Sequence, residues 1–260
     1  MLYENRGQTT FIFEAISALV DIFASLNYVE TKEYQQSRKN ANMSENSQIE
    51  VIQWAQELFS LPTFCILDTE TTGLEDNAEI VEIAIIDKEG HTLINQLVKP
   101  TQPIPNEVIG IHGITNDEVK KAPTFKTVWP KVRKLLKDYQ PIIIYNADFD
   151  TRMLTQSCQK YGTTPKLERF TWHCAMNQYA YFYGEWNDYW DGWKWQKLIR
   201  AAHWASEYLD CERHGAHRAL NDCRNTLLVL KALAQYDGPR EKPQPSPKFI
   251  NANQDENVPF

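Results

Sequence analysis

Three separated stretches of the chain carry acidic side chains in places where a folded interior accepts them only for a reason. In "ILDTETTGL" (66–74), Asp68 and Glu70 stand two apart at the end of an apolar run. In a strand, residues two apart point to the same face. Like charges this close repel unless a cation sits between them, so the pair reads either as a solvated strand end or as a metal site. After the apolar "PIIIYNA" (141–147), Asp148 stands where a helix N-cap belongs. Asp150 precedes Met153 and Leu154 by three and four residues and Ser157 by seven, which places it on an inward stripe. In "HGAHRALNDCRNTLLVLKAL" (214–233), Asp222 aligns with Thr226, Val229 and Leu233 on the apolar side of a helix, five residues after His217.

The elements that must hold these residues follow from the patterning. Helical spacing runs over 49–60, with Ile49, Ile52, Leu58 and Phe59 near one face. The β-rich segments 63–69, 79–87 and 91–100 are joined by short turns and read as an antiparallel meander. "TNDE" (115–118) fits a capping box, with Thr115 as N-cap and Glu118 three residues on. Helical pattern resumes at 124–138, a short buried strand occupies 141–147, and helices are predicted at 149–161, 171–183, 194–210 and 217–235. Residues 1–48 are expected to form an N-terminal helix and a polar linker, 49–236 the folded domain, and 237–260 a disordered tail rich in Pro and polar residues. Met43 lies inside the linker, so translation starting there would omit the first helix.

With 260 residues, 42% of them hydrophobic, the chain has material for an ordinary core. No apolar run is long enough for a membrane span, and no cationic stretch with a small-residue cleavage site frames the apolar segment 11–26. Cys65, Cys158, Cys174, Cys211 and Cys223 lack paired spacing, which fits reduced thiols and a cytoplasmic location. A net charge of −7 argues against a generally basic nucleic-acid coat, yet carboxylates that hold metal ions inflate a negative count.

Taken in order, "DTETTGL", "VEIAII", "IHGIT", "YNADFDTRML" and "HRALNDCRNT" resemble the three exonuclease motifs of the DEDDh, or DnaQ-like, 3′→5′ exonuclease superfamily, over roughly residues 62–236. That superfamily includes the proofreading subunit of bacterial DNA polymerase III and RNase T. The resemblance implies an α/β, RNase H-like fold, with a mixed five-stranded sheet flanked by helices. It implies Asp68, Glu70, Asp150 and Asp222 as ligands of two divalent ions, Mg²⁺ or Mn²⁺, and His217 as general base. The expected reaction is hydrolysis at the 3′ end of DNA or RNA, releasing nucleoside 5′-monophosphates. Two metals can activate the water and stabilise the leaving oxygen, and hard cations prefer oxygen donors, which suits carboxylates over cysteines. His217 falls at or just before a helix N-terminus, where the helix dipole disfavours a positive ring, and a base must be neutral to act.

The resemblance also makes Thr71, Thr72, Gly73, Leu74, His112 and Asn146 candidate substrate contacts. Leu74 is equally readable as a turn residue covering the core, and His112 as a loop histidine capping a helix. Tyr145 stands where the family usually has histidine, a departure expected to bear on substrate contacts more than on metal binding. Eleven aromatics crowd 170–195; those at helical spacing read as core, while "WNDYWDGW" (186–193) is too polar to be wholly buried and can stack single-stranded bases. Cys211, His214 and His217 at three-residue spacing hint at zinc but lack a completing pair. "QTTFIF" (8–13) loosely resembles a sliding-clamp-binding peptide. The expected partners are thus single-stranded or 3′-ended nucleic acid, with a DNA polymerase or sliding clamp as a further candidate. The alternatives to an active enzyme are a polymerase-associated accessory subunit and a non-catalytic nucleic-acid-binding module on the same fold.

Overall fold

The computed structural model describes residues 47–189 and 191–237. The expected N-terminal helix, the sliding-clamp-like peptide and the tail past Asp237 lie outside the described residues. Helix α1 (47–60) comes first. Strand β1 (Cys65–Thr71), β2 (Ile80–Asp87) and β3 (Thr92–Leu97) follow. Then come α2 (Asn106–His112), α3 (Asn116–Val119), α4 (Phe125–Leu135), β4 (Ile142–Ile144) and α5 (Ala147–Lys160). A 3₁₀ turn (Leu167–Arg169) leads into β5 (Trp172–Cys174), α6 (Ala175–Tyr183), the short strands β6 (Trp186–Asn187) and β7 (Gly192–Trp193), α7 (Leu198–Leu209) and α8 (Ala219–Gln235).

Five strands form one sheet in the order β3-β2-β1-β4-β5. The first three make the expected antiparallel meander, while β4 adds parallel to β1 and β5 parallel to β4. Alternation sorts the side chains into two cores. On one face Cys65, Leu67, Ile83, Ile85, Ile142 and Ile144 pack under α4 and α5. On the other Ile66, Ala84, Ile86, Ile143 and Tyr145 pack under α1, α6, α7 and α8. This two-sided coverage explains why the strands read as nearly continuous apolar runs. Helix α1 meets its core through Val51, Ala55 and Leu58, and Ile49, expected on that face, is 54% exposed. The core face therefore starts at Ser47, whose Oγ–H donates to the carbonyl of Tyr181, and Gln48 donates to that of Phe182.

The capping box at Thr115 forms with both reciprocal bonds. Helix α2 ends at Gly113, whose φ of 74° is the left-handed value that a helix C-terminus asks of glycine. The predicted helix over 171–183 corrects to strand β5 followed directly by α6, and the 141–147 strand shortens to three residues because α5 begins at Ala147. Within 186–193, β6 and β7 pair, with Trp186 and Trp193 ring centroids 5.1 Å apart, edge to face. Tyr179 is wholly buried, whereas Tyr189 is 84% and Trp195 55% exposed. Among the described residues, no helix is long and apolar enough to cross a membrane.

Candidate active site

Asp68 and Glu70 lie on the β1 face that carries Ile66, opposite Ala84 and Glu82 of β2. Helix α8 lies directly over that face. Ala84, Ala219 and Cys223 are all fully buried, and their small side chains let it approach closely. The Cys223 thiol donates to the carbonyls of Ile66 and Ala84 at 3.6 and 3.5 Å. One residue earlier on the helix, Asp222 meets the two strand acids: ligand oxygens of Asp68, Glu70 and Asp222 all lie within 4.8 Å of one another.

Asp150 arrives from the opposite side of the sheet. It belongs to α5, whose Met153 and Leu154 pack in the other core. Thr69, facing that side from β1, donates its hydroxyl to Asp150 Oδ1 at 2.7 Å. Asp150 is buried to 4% exposure. Asp148, expected as the N-cap, is instead exposed within the first turn; the N-cap is Asn146, without a side-chain capping bond. The helix starts two residues earlier than its apolar spacing suggests, so Asp148 holds no cap.

The electrostatics follow from this enclosure. Burial, the largest cause, and the neighbouring acids Asp150, Asp222, Glu70 and Glu82 hold the Asp68 carboxyl well above the usual range. Burial and Asp222, Glu82 and Asp150 do the same to Glu70, partly opposed by Arg218. Burial pushes Asp150 up to about 7 against the opposing Thr69 bond. Burial likewise takes Asp222 to about 6, opposed by His217. Among the described residues none of the four acids forms an ion pair with a lysine or arginine. A divalent cation fits Asp68, Glu70 and Asp222: their donors are oxygens only and converge within 4.8 Å, and Arg218 and His217 offset their repulsion only in part. Asp150 stands outside that group, yet close enough for its charge to act on Asp68.

His217 adopts φ 62°, left-handed for a non-glycine residue, and its backbone N–H donates to Asp222 Oδ2 at 3.1 Å. Its side chain thus belongs to the segment that leads into α8 at the acid cluster. The zinc hint dissolves, since Cys211, His214 and His217 do not gather their ligand atoms. His112 is 4% exposed. Its Nδ1 accepts from the Ile114 N–H and its Nε2–H donates to the Thr71 carbonyl, an arrangement that braces the Thr71–Gly73 turn from beneath. Burial lowers its pKa, consistent with a neutral ring in that role. Thr71 Oγ1–H donates to the Gly73 carbonyl, and Arg152 Nη1 donates to that of Leu74. Gln156 donates to the carbonyls of Glu75 and Ala78. Thr72 Oγ1 accepts from the Glu79 N–H. The whole turn is therefore held by α5, by His112 at the end of α2 and by the residue that leads into β2.

Tyr145 is buried and donates its hydroxyl to the Gln196 carbonyl at 2.7 Å. It ties the aromatic segment before α7 to the strand end beside Asn146. A groove of about 960 Å³ runs along the outer side of α5, lined in part by Arg152, Gln156, Phe170 and Trp172. It includes Asp148 but none of Asp68, Glu70, Asp150 and Asp222, so its size does not locate the chemistry.

Sequence patterning missed Thr69, Glu82 and Arg152. Each acts on a partner more than 75 residues away, which helical or strand periodicity does not encode.

A mixed five-stranded sheet with helices on both faces, and an acid cluster where its central strand β1 meets α8, define a DnaQ-like exonuclease domain of RNase H-like fold. The family model described as exonuclease (RNase_T) matches residues 65–230, and the chain belongs to that family. It is 47% identical over 175 residues to exonuclease CP81 of Escherichia phage 186, covering 65% of this chain and 87% of that protein. It is 38% identical over 95 residues to the DNA polymerase III subunit epsilon of Rickettsia prowazekii, covering 34% of this chain and 41% of that one. The fold is similar to that of the nuclease domain of 3′hExo, a DEDDh family member solved with rAMP. That match has a TM-score of 0.52 and 23% identity, and covers 66% of this chain and 91% of that one.

Proposed function

We propose that this exonuclease works from the 3′ end of DNA or RNA and releases nucleoside 5′-monophosphates. The observation that carries the reading is the convergence of Asp68, Glu70 and Asp222 within 4.8 Å, with Asp150 adding its charge beside them. Asp68, Glu70, Asp150 and Asp222 would hold two divalent ions, Mg²⁺ or Mn²⁺. Bound there, such ions supply Lewis-acid stabilisation of charge on the scissile phosphate and the departing oxygen.

The chain's own residues do the rest. His217 accepts the proton of the attacking water, and Asp222 holds the His217 backbone in place through Oδ2. Thr69 fixes Asp150 against β1 and favours its ionised form. Thr71, Thr72, Gly73 and Leu74 form the turn that receives the terminal nucleotide, with His112 bracing it from below and Asn146 flanking it at the start of α5.

The test uses single strands of DNA and RNA labelled at either end, incubated with Mg²⁺ or Mn²⁺. A 3′ label should appear at once as mononucleotide, while a 5′ label shortens in a ladder. Immediate release of the 5′ label as mononucleotide would overturn the polarity.

A further inference from the structure

Helix α8 has no side-chain cap of its own at Arg218. Glu82, on the neighbouring strand β2, fills that place. Its carboxylate accepts from Arg218 Nε at 3.3 and 3.2 Å and from Arg218 Nη2 at 2.7 Å. It also accepts from the backbone N–H of Ala219 at 2.9 Å. That amide is the first of α8 and would otherwise lack an intrahelical partner. Glu82 is 2% exposed and sits directly opposite Glu70 in the sheet register.

The residue before Arg218 is His217, in the left-handed region at φ 62°. A non-glycine residue holds that conformation only where its surroundings over-determine it. Here both sides do: its own N–H is bonded to Asp222, and the next two residues are bonded to Glu82. Arg218 matters as a fork. Two of its nitrogens reach one carboxylate, which fixes direction as well as distance, and a lysine offers only a point charge.

We infer that Glu82 and Arg218 are a positioning pair, which locks the start of α8 to β2 and thereby fixes where the His217 ring stands against the acid cluster. The pair is a tie between β2 and the residue next to the base. It touches no substrate. The inference rests on the proposed role of His217.

The test compares Arg218→Lys, Glu82→Gln and the double variant Glu82→Leu/Arg218→Met with the wild type and with His217→Ala. Glu82 is the buried partner and Arg218 is 41% exposed, so removing Arg218 alone strands a buried carboxylate, whereas removing both leaves none. The double variant therefore separates positioning from folding. Expected in the double variant are a cooperative melt, lowered by no more than the lost bond to the Ala219 N–H accounts for, and faster amide exchange at 217–219. Its kcat should fall about 10²-fold, the scale of a misplaced catalytic group, with KM unchanged; Mn²⁺ affinity by calorimetry should be unchanged in Arg218→Lys, which keeps both charges. Arg218→Lys should lose kcat in the same sense, because its charge alone does not restore the fork.

Wild-type kcat in both Arg218→Lys and the double variant, with His217→Ala inactive, overturns the pair and spares the histidine. A kcat loss in Arg218→Lys matched by weaker Mn²⁺ binding also overturns it, since the pair would then be holding the acids. Near-normal turnover in His217→Ala instead removes the base on which the inference stands.

Discussion

Replacing Asp150 by Asn should stabilise the protein in the absence of divalent ions, and only above a definite pH. In the folded chain the Asp150 carboxyl is raised from 3.8 to about 7, first by burial. Between those values the native state holds a proton that the unfolded chain has released, so stability falls as pH rises through that window. Near pH 4 the carboxyl is protonated in the fold and wild type and variant should be close. Above pH 7 the full shift of about three units is felt, a ceiling of about 4 kcal/mol. Asn keeps the acceptor for the Thr69 hydroxyl but must itself be desolvated, so a gain of about 2–4 kcal/mol remains. For a domain of this size that is a rise of roughly 4–16 °C in melting temperature. Denaturant unfolding in a chelator at pH 4.5 and pH 8 measures it. Adding Mg²⁺ at pH 8 should then stabilise the wild type more than the variant and narrow or reverse the order. An Asp150→Asn protein less stable than wild type at pH 8 in chelator would refute the reasoning, because burial and repulsion would not be what Asp150 endures.

Further outcomes follow from the same geometry. His217→Ala should lower turnover by about 10²–10⁴-fold while leaving Mn²⁺ binding intact, measured by steady-state kinetics and calorimetry. Thr69→Val removes a hydrogen bond that favours the ionised Asp150, so the onset of Mg²⁺ binding should move to higher pH; an unchanged binding profile would release Thr69 from that role. Asp148→Ala should keep substantial activity and cost no more than about 1 kcal/mol, the range for an exposed acid near a helix N-terminus, which denaturation reads directly. A chain starting at Met43 should melt cooperatively and degrade oligonucleotides near the full rate. One starting at Leu61 should not fold, since it loses Val51, Ala55 and Leu58 from the core.

What could be read from the sequence was whatever a local rule encodes. The paired strand acids, the stripe carrying Asp150, the face carrying Asp222 and the Thr115 capping box each depend on positions a few residues apart, and all stand where the spacing put them. Strand β5 was hidden because its three residues, Trp172 to Cys174, run without a break into a helix and merge with its aromatic pattern. The fifth strand of the sheet was available only through family resemblance. Asp148 misled for a local reason as well: an acid just after a strand imitates a cap, but Asn146 and Ala147 had already begun the helix. The supports of the site were out of reach altogether. Thr69 on Asp150, Glu82 on Arg218 and Tyr145 on Gln196 are made by the fold, and nothing in their spacing announces them.

Dependence of exonuclease activity on divalent ions held by Asp68, Glu70, Asp150 and Asp222 is the central prediction. Its most direct test is to strip the protein with chelator, then titrate Mn²⁺ back while following heat of binding and release of mononucleotide from a 3′-labelled strand in parallel. The two curves should rise together in the wild type and both be abolished in Asp68→Ala, with its fold retained. Hydrolysis that persists in chelator, or an Asp68→Ala protein that binds Mn²⁺ and digests the strand as well as wild type, would contradict it.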